Sequence, residues 1–324
     1  GALSFGSATI AASNVSFSSD ISMNDRLFVN VSDVSYSHIT GYLPTPVIVE
    51  NPSITKLGQD IDGEAERDWS GSSVSMNSDG TIVAIGAYDN HGTGVSDTGH
   101  VRIYQYDSGN DIWNQLGQDI DGEAADDESG YSVSINDNGT IVAIGAPEND
   151  GNGSNAGHVR IYQYDSINDI WDKLGQDIDG ESSSNYSGWS VSINGDGSRV
   201  AIGAYYNAGT GAAFSGHVRI YQYDSGNDNW DKLGQDIDGE AERDWSGSSV
   251  SMNGDGTIVA IGAPDNDGTS VSSTGGHVRI YQYDSVGDIW NKLGQDIDGE
   301  AKDDESGYSV SINGDGTIVA IGAQ

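Results

Sequence analysis

Eight residues, Leu-Gly-Gln-Asp-Ile-Asp-Gly-Glu, occur five times in this chain, and each copy sets carboxylates at i, i+2 and i+4. They are Asp60, Asp62 and Glu64, then Asp119, Asp121 and Glu123, then Asp177, Asp179 and Glu181, then Asp236, Asp238 and Glu240, and finally Asp296, Asp298 and Glu300. Alternating oxygen ligands around a glycine turn suit a hard cation such as Ca2+, which takes 6–8 oxygens. The full spacing of a helix–loop–helix calcium loop is absent, and the same residues equally describe a turn whose Asp side chains accept backbone N–H bonds. A second acidic loop, Glu148-Asn-Asp150-Gly151 and Asp265-Asn-Asp267-Gly268, is matched in other copies by His91-Gly92 and Tyr206-Asn-Ala-Gly209. That variation reads as a surface loop rather than a uniform ligand set.

Four histidines (His100, His158, His217, His277) recur at one position, and Arg102, Arg160, Arg219 and Arg279 follow two residues later on the same strand face. With cations this scarce, each arginine is expected to pair with a neighbouring carboxylate. Trp113, Trp171, Trp230 and Trp290 precede the Leu-Gly-Gln motif and are expected to pack between repeats. Trp69, Trp189 and Trp245 sit where other copies carry Ser or Glu, and are the candidates for stacking on a sugar ligand. No Gly-x-Ser-x-Gly elbow, phosphate loop or zinc-type histidine spacing occurs. Paired carboxylates recur in every copy, so no single pair stands out as an acid/base device. The expectation is a protein that is not an enzyme.

The motifs need a scaffold, and the period supplies it. The Leu-Gly-Gln copies begin at Leu57, Leu116, Leu174, Leu233 and Leu293, at intervals of 59, 58, 59 and 60 residues. Such periods mean stacked or radial repeats. In the second copy Tyr131–Asn136 alternates, Asp137-Asn138-Gly139 forms a hairpin turn, and Thr140–Ala146 is a continuous apolar run. His158–Tyr164 and Ile170–Gln176 supply two further strands, and no segment has helical periodicity. The unit is a four-stranded antiparallel meander that buries its faces only against copies of itself. Radial packing predicts an all-β, five-bladed β-propeller over residues 46–324, preceded by a β-rich attachment or shaft segment over residues 1–45. Val-Ala-Ile-Gly-Ala occurs five times but Gly-His-Val-Arg-Ile-Tyr-Gln-Tyr four. The missing half-blade is expected from Pro46–Glu50 and Ser53–Gln59, closing the ring and removing two sheet edges. The runner-up is an open stack that joins end to end into a filament.

Thirteen Lys and Arg against 50 Asp and Glu leave a net charge of −37. That field repels nucleic acid and anionic membrane and attracts cations or basic partners. There are no cysteines, so neither disulfides nor thiolate chemistry is available. No run of 18 apolar residues predicts a membrane span. Asn14, Asn30, Asn138, Asn152 and Asn185 each begin an Asn-x-Ser/Thr acceptor pattern for glycosylation. The chain begins Gly1-Ala2-Leu3-Ser4, without Met, as a processed chain or a piece of a longer one would.

The run from Ser306 through Val-Ser-Ile-Asn-Gly-Asp-Gly-Thr-Ile-Val-Ala-Ile-Gly to Ala323, with Gly-His-Val-Arg-Ile-Tyr elsewhere, resembles the FG-GAP repeat of integrin-type propellers. The resemblance covers residues 46–324 and implies extracellular adhesion or scaffold modules, many of which bind calcium between the first two strands. Asn253, Asp255 and Gly256 match that calcium loop, but Ser251 and Val259 stand where its first and last Asp belong. Ser19–Ser35 resembles short repeats in fibre proteins of large marine algal viruses, which implies a shaft or attachment role. The resulting expectation is a non-catalytic structural or adhesion propeller outside the cell, on a cell surface or on a virion. It would engage protein or glycan partners, or form a homo-oligomer or filament through residues 1–45. A carbohydrate-binding, lectin-like module using Trp69, Trp189 and Trp245 is the alternative.

Overall fold

A computed structural model describes residues 55–91, 98–209, 212–266 and 275–324, and among these there is no helix. The chain divides into two units, Gly1–Thr55 and Lys56–Gln324, and the described residues belong, Thr55 apart, to the second. The closing strand expected at Pro46–Glu50, Asn14, Asn30 and the fibre-like Ser19–Ser35 lie outside the described residues.

The first repeat forms β1 (Ser73–Met76), β2 (Ile82–Ala87), β3 (His100–Asp107), β4 (Ile112–Gln115) and the short β5 (Ile120–Asp121). Order across the sheet is β1-β2-β3-β4, with β5 also on β3, and every pairing is antiparallel. The second sheet repeats this as β6 (Ser132–Ile135), β7 (Ile141–Ala146), β8 (His158–Asp165), β9 (Ile170–Lys173) and β10 (Ile178–Asp179). The third holds β11 (Ser190–Ile193), β12 (Arg199–Ala204), β13 (His217–Asp224), β14 (Asn229–Lys232) and β15 (Ile237–Asp238). The fourth holds β16 (Ser249–Met252), β17 (Ile258–Ala263), β18 (His277–Asp284), β19 (Ile289–Lys292) and β20 (Ile297–Asp298). Among the described residues the fifth has two strands, β21 (Ser309–Ile312) and β22 (Val319–Gly322).

Alternation dictates the packing. In β6, Val133 and Ile135 are buried while Ser132 and Ser134 are only half-covered. The middle strand β7 is apolar on both faces because a sheet lies on each side of it. One core cluster therefore joins Ile82, Val101 and Ile103 of the first sheet to Val133, Ile135 and Trp171 of the second, and two further clusters repeat that arrangement. Successive first strands are neighbours: β1 with β6, β6 with β11, β11 with β16 and β16 with β21. Radial meanders sharing such seams make a β-propeller.

The outer strand departs from the sequence pattern. Ile170–Gln176 reads as one strand, but the structure breaks it after Lys173 and resumes at Ile178. Gly175 sits in between at φ 76°, and a Cβ there would meet the Trp230 ring at 2.8 Å. The break is a bulge that carries the chain against the next sheet. Trp230 donates from Nε1 to Leu174 O (2.8 Å) and exchanges two bonds with the Gln176 amide. The same clamp holds Trp113 to Leu57 and Gln59, Trp171 to Leu116 and Gln118, and Trp290 to Leu233 and Gln235.

Candidate functional site

Three positions per repeat converge where first strands begin and second strands end. The residue before each Ser-Gly is Trp69, Glu128, Tyr186, Trp245 or Glu305, all held at positive φ between 48° and 55°. The residue after Gly is Ser72, Tyr131, Trp189, Ser248 or Tyr308, and the one after Val-Ala-Ile-Gly-Ala includes Tyr88, Pro147, Tyr205 and Pro264. Their rings form a connected line. Trp69 stacks on Tyr88 at 6.2 Å, Tyr88 meets Tyr131 at 5.5 Å, Tyr131 meets Trp189 at 4.4 Å, and Trp189 meets Tyr205 at 4.3 Å. Tyr205 then meets Trp245 edge-on at 5.9 Å, and Tyr206 packs on Phe214 at 4.2 Å. Beside these rings opens a cavity of about 560 Å³, to which Asp265 and Glu305 add carboxylates and Tyr308 a phenol. That volume accommodates a small cyclic ligand, with apolar walls and a few polar groups to orient it.

Two phenols of this basin, Tyr131 and Tyr205, are held protonated. Burial first, then the Glu128 charge, pushes the Tyr131 hydroxyl well above its ordinary value. Burial, reinforced by Tyr186, Tyr206 and Glu148, pushes Tyr205 up to about 12. Both are therefore O–H donors at neutral pH. Glu148 is raised by its own partial burial and by Asp126.

All three tryptophans singled out in the sequence, Trp69, Trp189 and Trp245, fall on this line. Tyr131, Tyr205, Tyr206, Tyr308 and Glu305 were missed as site residues, and Asp265 was assigned to a variable loop. Their signal is departure from the repeat, since the third copy alone puts two tyrosines after Val-Ala-Ile-Gly-Ala.

The repeated carboxylates are placed differently. The structure does not gather each i, i+2, i+4 set around one point. The last residue of one copy reaches the following sheet and meets that sheet's histidine, arginine and first Asp. The groups so formed are Glu64, His100 and Asp119; Glu123, His158 and Asp177; Glu181, His217 and Asp236; and Glu240, His277 and Asp296. An arginine lies against each group. Arg160 donates from Nε and Nη2 to both oxygens of Asp177 (3.0 and 2.8 Å) and pairs with Glu123, and Arg219 does the same with Asp236 and Glu181. Arg279 lies 2.6 Å from Glu240, and Arg102 lies 3.5 Å from Glu64. Burial pushes Asp177 and Asp236 up, but the hydrogen bonds from Arg160 with Lys173, and from Arg219 with Lys232, outweigh it and hold both well below the usual carboxylate range. At Asp177 and Asp236 the guanidinium occupies both carboxylate oxygens.

The middle aspartates Asp121, Asp179, Asp238 and Asp298 stand opposite the histidines in strand register. Asp60 pairs with Lys56, while Asp62 and Glu300 are exposed. Of the glycosylation candidates, Asn138 and Asn152 are exposed, whereas Asn185 is 5% exposed and closed to any glycan. It occupies the place of the buried Asp68, Asp127 and Asp244.

Residues 120–162 match the FG-GAP repeat family. That segment is similar to an FG-GAP repeat, and the described residues form all-β, antiparallel sheets of the propeller kind. No curated protein matches the chain in sequence. Among solved structures it is similar to the periplasmic gluconolactonase of Pseudomonas aeruginosa, at TM-score 0.50 and 11% identity over 78% of this chain and 65% of that one. A protein from Lactobacillus plantarum gives TM-score 0.50 and 10% identity over 78% and 64%. A Bacteroides uniformis protein described as a 6-phosphogluconolactonase gives 0.47 and 11% over 77% and 57%. The chain thus spans less than two thirds of the length of each.

These findings overturn the expectation of a non-catalytic adhesion or scaffold propeller, and with it the expectation that the chain is no enzyme. Its fold is shared with a protein named as a gluconolactonase. The copies are also unlike one another at the basin. There the third, fourth and fifth repeats contribute different side chains. At 10–11% identity the likeness concerns the fold, and the named activity belongs to that protein.

Proposed function

We propose that the chain is a hydrolase of neutral, sugar-derived cyclic esters, with the aromatic basin of its five-repeat propeller as the active site. The observation that carries this reading is the meeting of Trp189, Tyr205 and Trp245 with the carboxylates of Asp265 and Glu305 around one cavity of about 560 Å³. Aromatic faces take the C–H face of a sugar ring, and polar groups at the rim fix its orientation. A carboxylate in the basin takes a proton from water as the water oxygen bonds to the ester carbonyl carbon. The protonated Tyr131 and Tyr205 hydroxyls are the donors suited to the developing oxyanion. The ring C–O bond then breaks, the released oxygen takes up the proton, and the product is an open-chain hydroxy acid. A net charge of −37 favours an uncharged lactone over a phosphorylated one and speeds departure of the anionic product.

Glucono-1,5-lactone is the first substrate to test, and its opening is followed by base uptake at constant pH above the spontaneous rate. Glu305→Gln and Trp189→Ala are each expected to lower kcat/KM by about 100-fold, the usual scale for losing a general base or a positioning contact. A wild-type rate no higher than buffer, with this lactone and with neutral aldonolactones of other ring size, sinks the reading.

A further inference from the structure

The four seams between successive sheets are made from one set of bonds. A serine hydroxyl of each first strand donates to a glycine carbonyl of the next repeat: Ser73 to Gly130, Ser132 to Gly188, Ser190 to Gly247 and Ser249 to Gly307, at 2.7–2.8 Å. A second serine accepts a backbone N–H from the next first strand: Ser75 from Ile135, Ser134 from Ile193, Ser192 from Met252 and Ser251 from Ile312. The hairpin turns add Ser78 N to Asp137 O, Asp137 N to Gly195 O, Gly195 N to Gly254 O and Gly254 N to Gly314 O. Among the described residues none of these three bonds is made between β21 and β1.

The side chains show the same break. Val74 and Met76 of β1 are 63% and 56% exposed, while their counterparts Val133, Val191 and Val250 are 9% exposed and Ile135, Ile193 and Met252 are 6–7% exposed. At the far edge Ile318 is 67% exposed. Its counterparts Ile82, Ile141 and Ile258 lie under the turn glycines Gly139, Gly197 and Gly316 of the following repeat. Gly80, the corresponding turn glycine of the first repeat, has only Met76 Sδ within 4 Å of its Cβ position. Leu57 and Gln59 already clamp Trp113 in the place that Leu116 and Gln118 take on Trp171, and the fifth sheet shows no outer strand among the described residues.

The two edges are complementary halves of one seam. Four identical seams fix one rotation per sheet, and after them the two edges of the same chain do not meet. We propose that the β1 edge seats the β21–β22 edge of a second copy of this chain, head to tail. In that interface Met76 N–H meets the partner's Ser311 hydroxyl, and the partner's Ile318 fills the space over Gly80. Because the joined surfaces differ, the contact is heterologous. The proposal is independent of the activity above.

Sedimentation velocity of the full chain across a concentration series tests it. Wild type is expected to associate with rising concentration. Met76→Arg and Ile318→Arg, both at exposed positions, are each expected to stay monomeric with an unchanged melting temperature. Mixed in equal amounts they are expected to pair, because each retains the edge the other has lost, and to stop at two. A wild type that stays monomeric throughout, whether closed on itself or covered by residues 1–54, overturns the proposal. So do single variants that still self-associate, or a mixture that does not pair.

Discussion

At the residue scale the seam depends on a ring nitrogen meeting a carbonyl across a repeat boundary. Trp171 is 3% exposed, with Nε1 donating to Leu116 O at 2.8 Å and its backbone bonded both ways by the Gln118 side chain. Trp171→Ala opens a cavity and orphans those groups, a loss expected at about 3–5 kcal/mol. Gln118→Ala keeps the ring but leaves two backbone groups unpaired, for about 2 kcal/mol. Urea unfolding midpoints check both, and the matching change at the half-buried Trp113 should cost less. The histidines beside the seams titrate in the opposite sense to an ion-paired residue. Burial, then the adjacent arginine, lowers His158 and His217 from 6.5 to about 4. Above pH 6.5 both are neutral, folded or unfolded. Between 6.5 and 4 the unfolded chain takes up the proton first, so stability falls with pH, by up to about 3 kcal/mol per histidine. Asp177 and Asp236, held below the usual range, add to the loss only at lower pH. Asp127, raised by its burial, acts the other way. Denaturation at pH 7.5 and pH 4.5 should show the drop, and the double variant His158→Gln, His217→Gln should flatten it.

At the element scale the second strands lie so close to the following repeat that only glycine fits. A Cβ on Gly145 of β7 would sit 2.1 Å from Gly188 O, a backbone atom of the next sheet. Gly145→Ala must push two sheets apart, and a loss of about 3 kcal/mol is expected, at the upper end for overpacking. Gly109→Ala, whose Cβ would meet only the Asp107 side chain at 3.2 Å, should change stability by less than about 0.5 kcal/mol. Thermal melts of the two variants separate close approach from a general effect of adding a methyl group. The strands themselves were legible in the sequence. Alternation at Val133 and Ile135 and the apolar run ending at Ala146 give β6 and β7 directly, since both patterns are local. The bulge at Gly175 was not legible, because its cause is Trp230, 55 residues away. The same limit divided the site. Trp69, Trp189 and Trp245 stand out as breaks in the repeat, but their meeting with Tyr131 and Tyr308 depends on how the sheets curve. The placement of the carboxylate sets was not legible for the related reason that neighbours in sequence serve different sheets, with Glu123 turned to Arg160 and Asp121 opposite His100.

For the whole molecule the dominant long-range term is charge. Fifty acidic side chains against 13 basic ones must repel one another across every sheet. The cations that do most to relieve this are placed at the seams. Arg160 and Arg219, mostly buried, each bind two carboxylates from different repeats and so join adjacent sheets where they would otherwise repel. Salt then acts unequally on the two contributions. Going from about 20 mM to about 500 mM NaCl shortens the screening length from roughly 20 Å to roughly 4 Å. Repulsion between exposed carboxylates is lost over that range, while the direct Arg160–Asp177 contact at 2.8 Å is largely retained. Exposed pairs such as Lys56–Asp60 weaken but contribute little to begin with. The melting temperature is therefore expected to rise with NaCl, by several degrees, and to level off once the surface is screened. A scanning-calorimetry series at fixed pH measures it. A melting temperature that falls with salt would mean that attraction among exposed charges outweighs their repulsion, which contradicts the charge placement described for the seams.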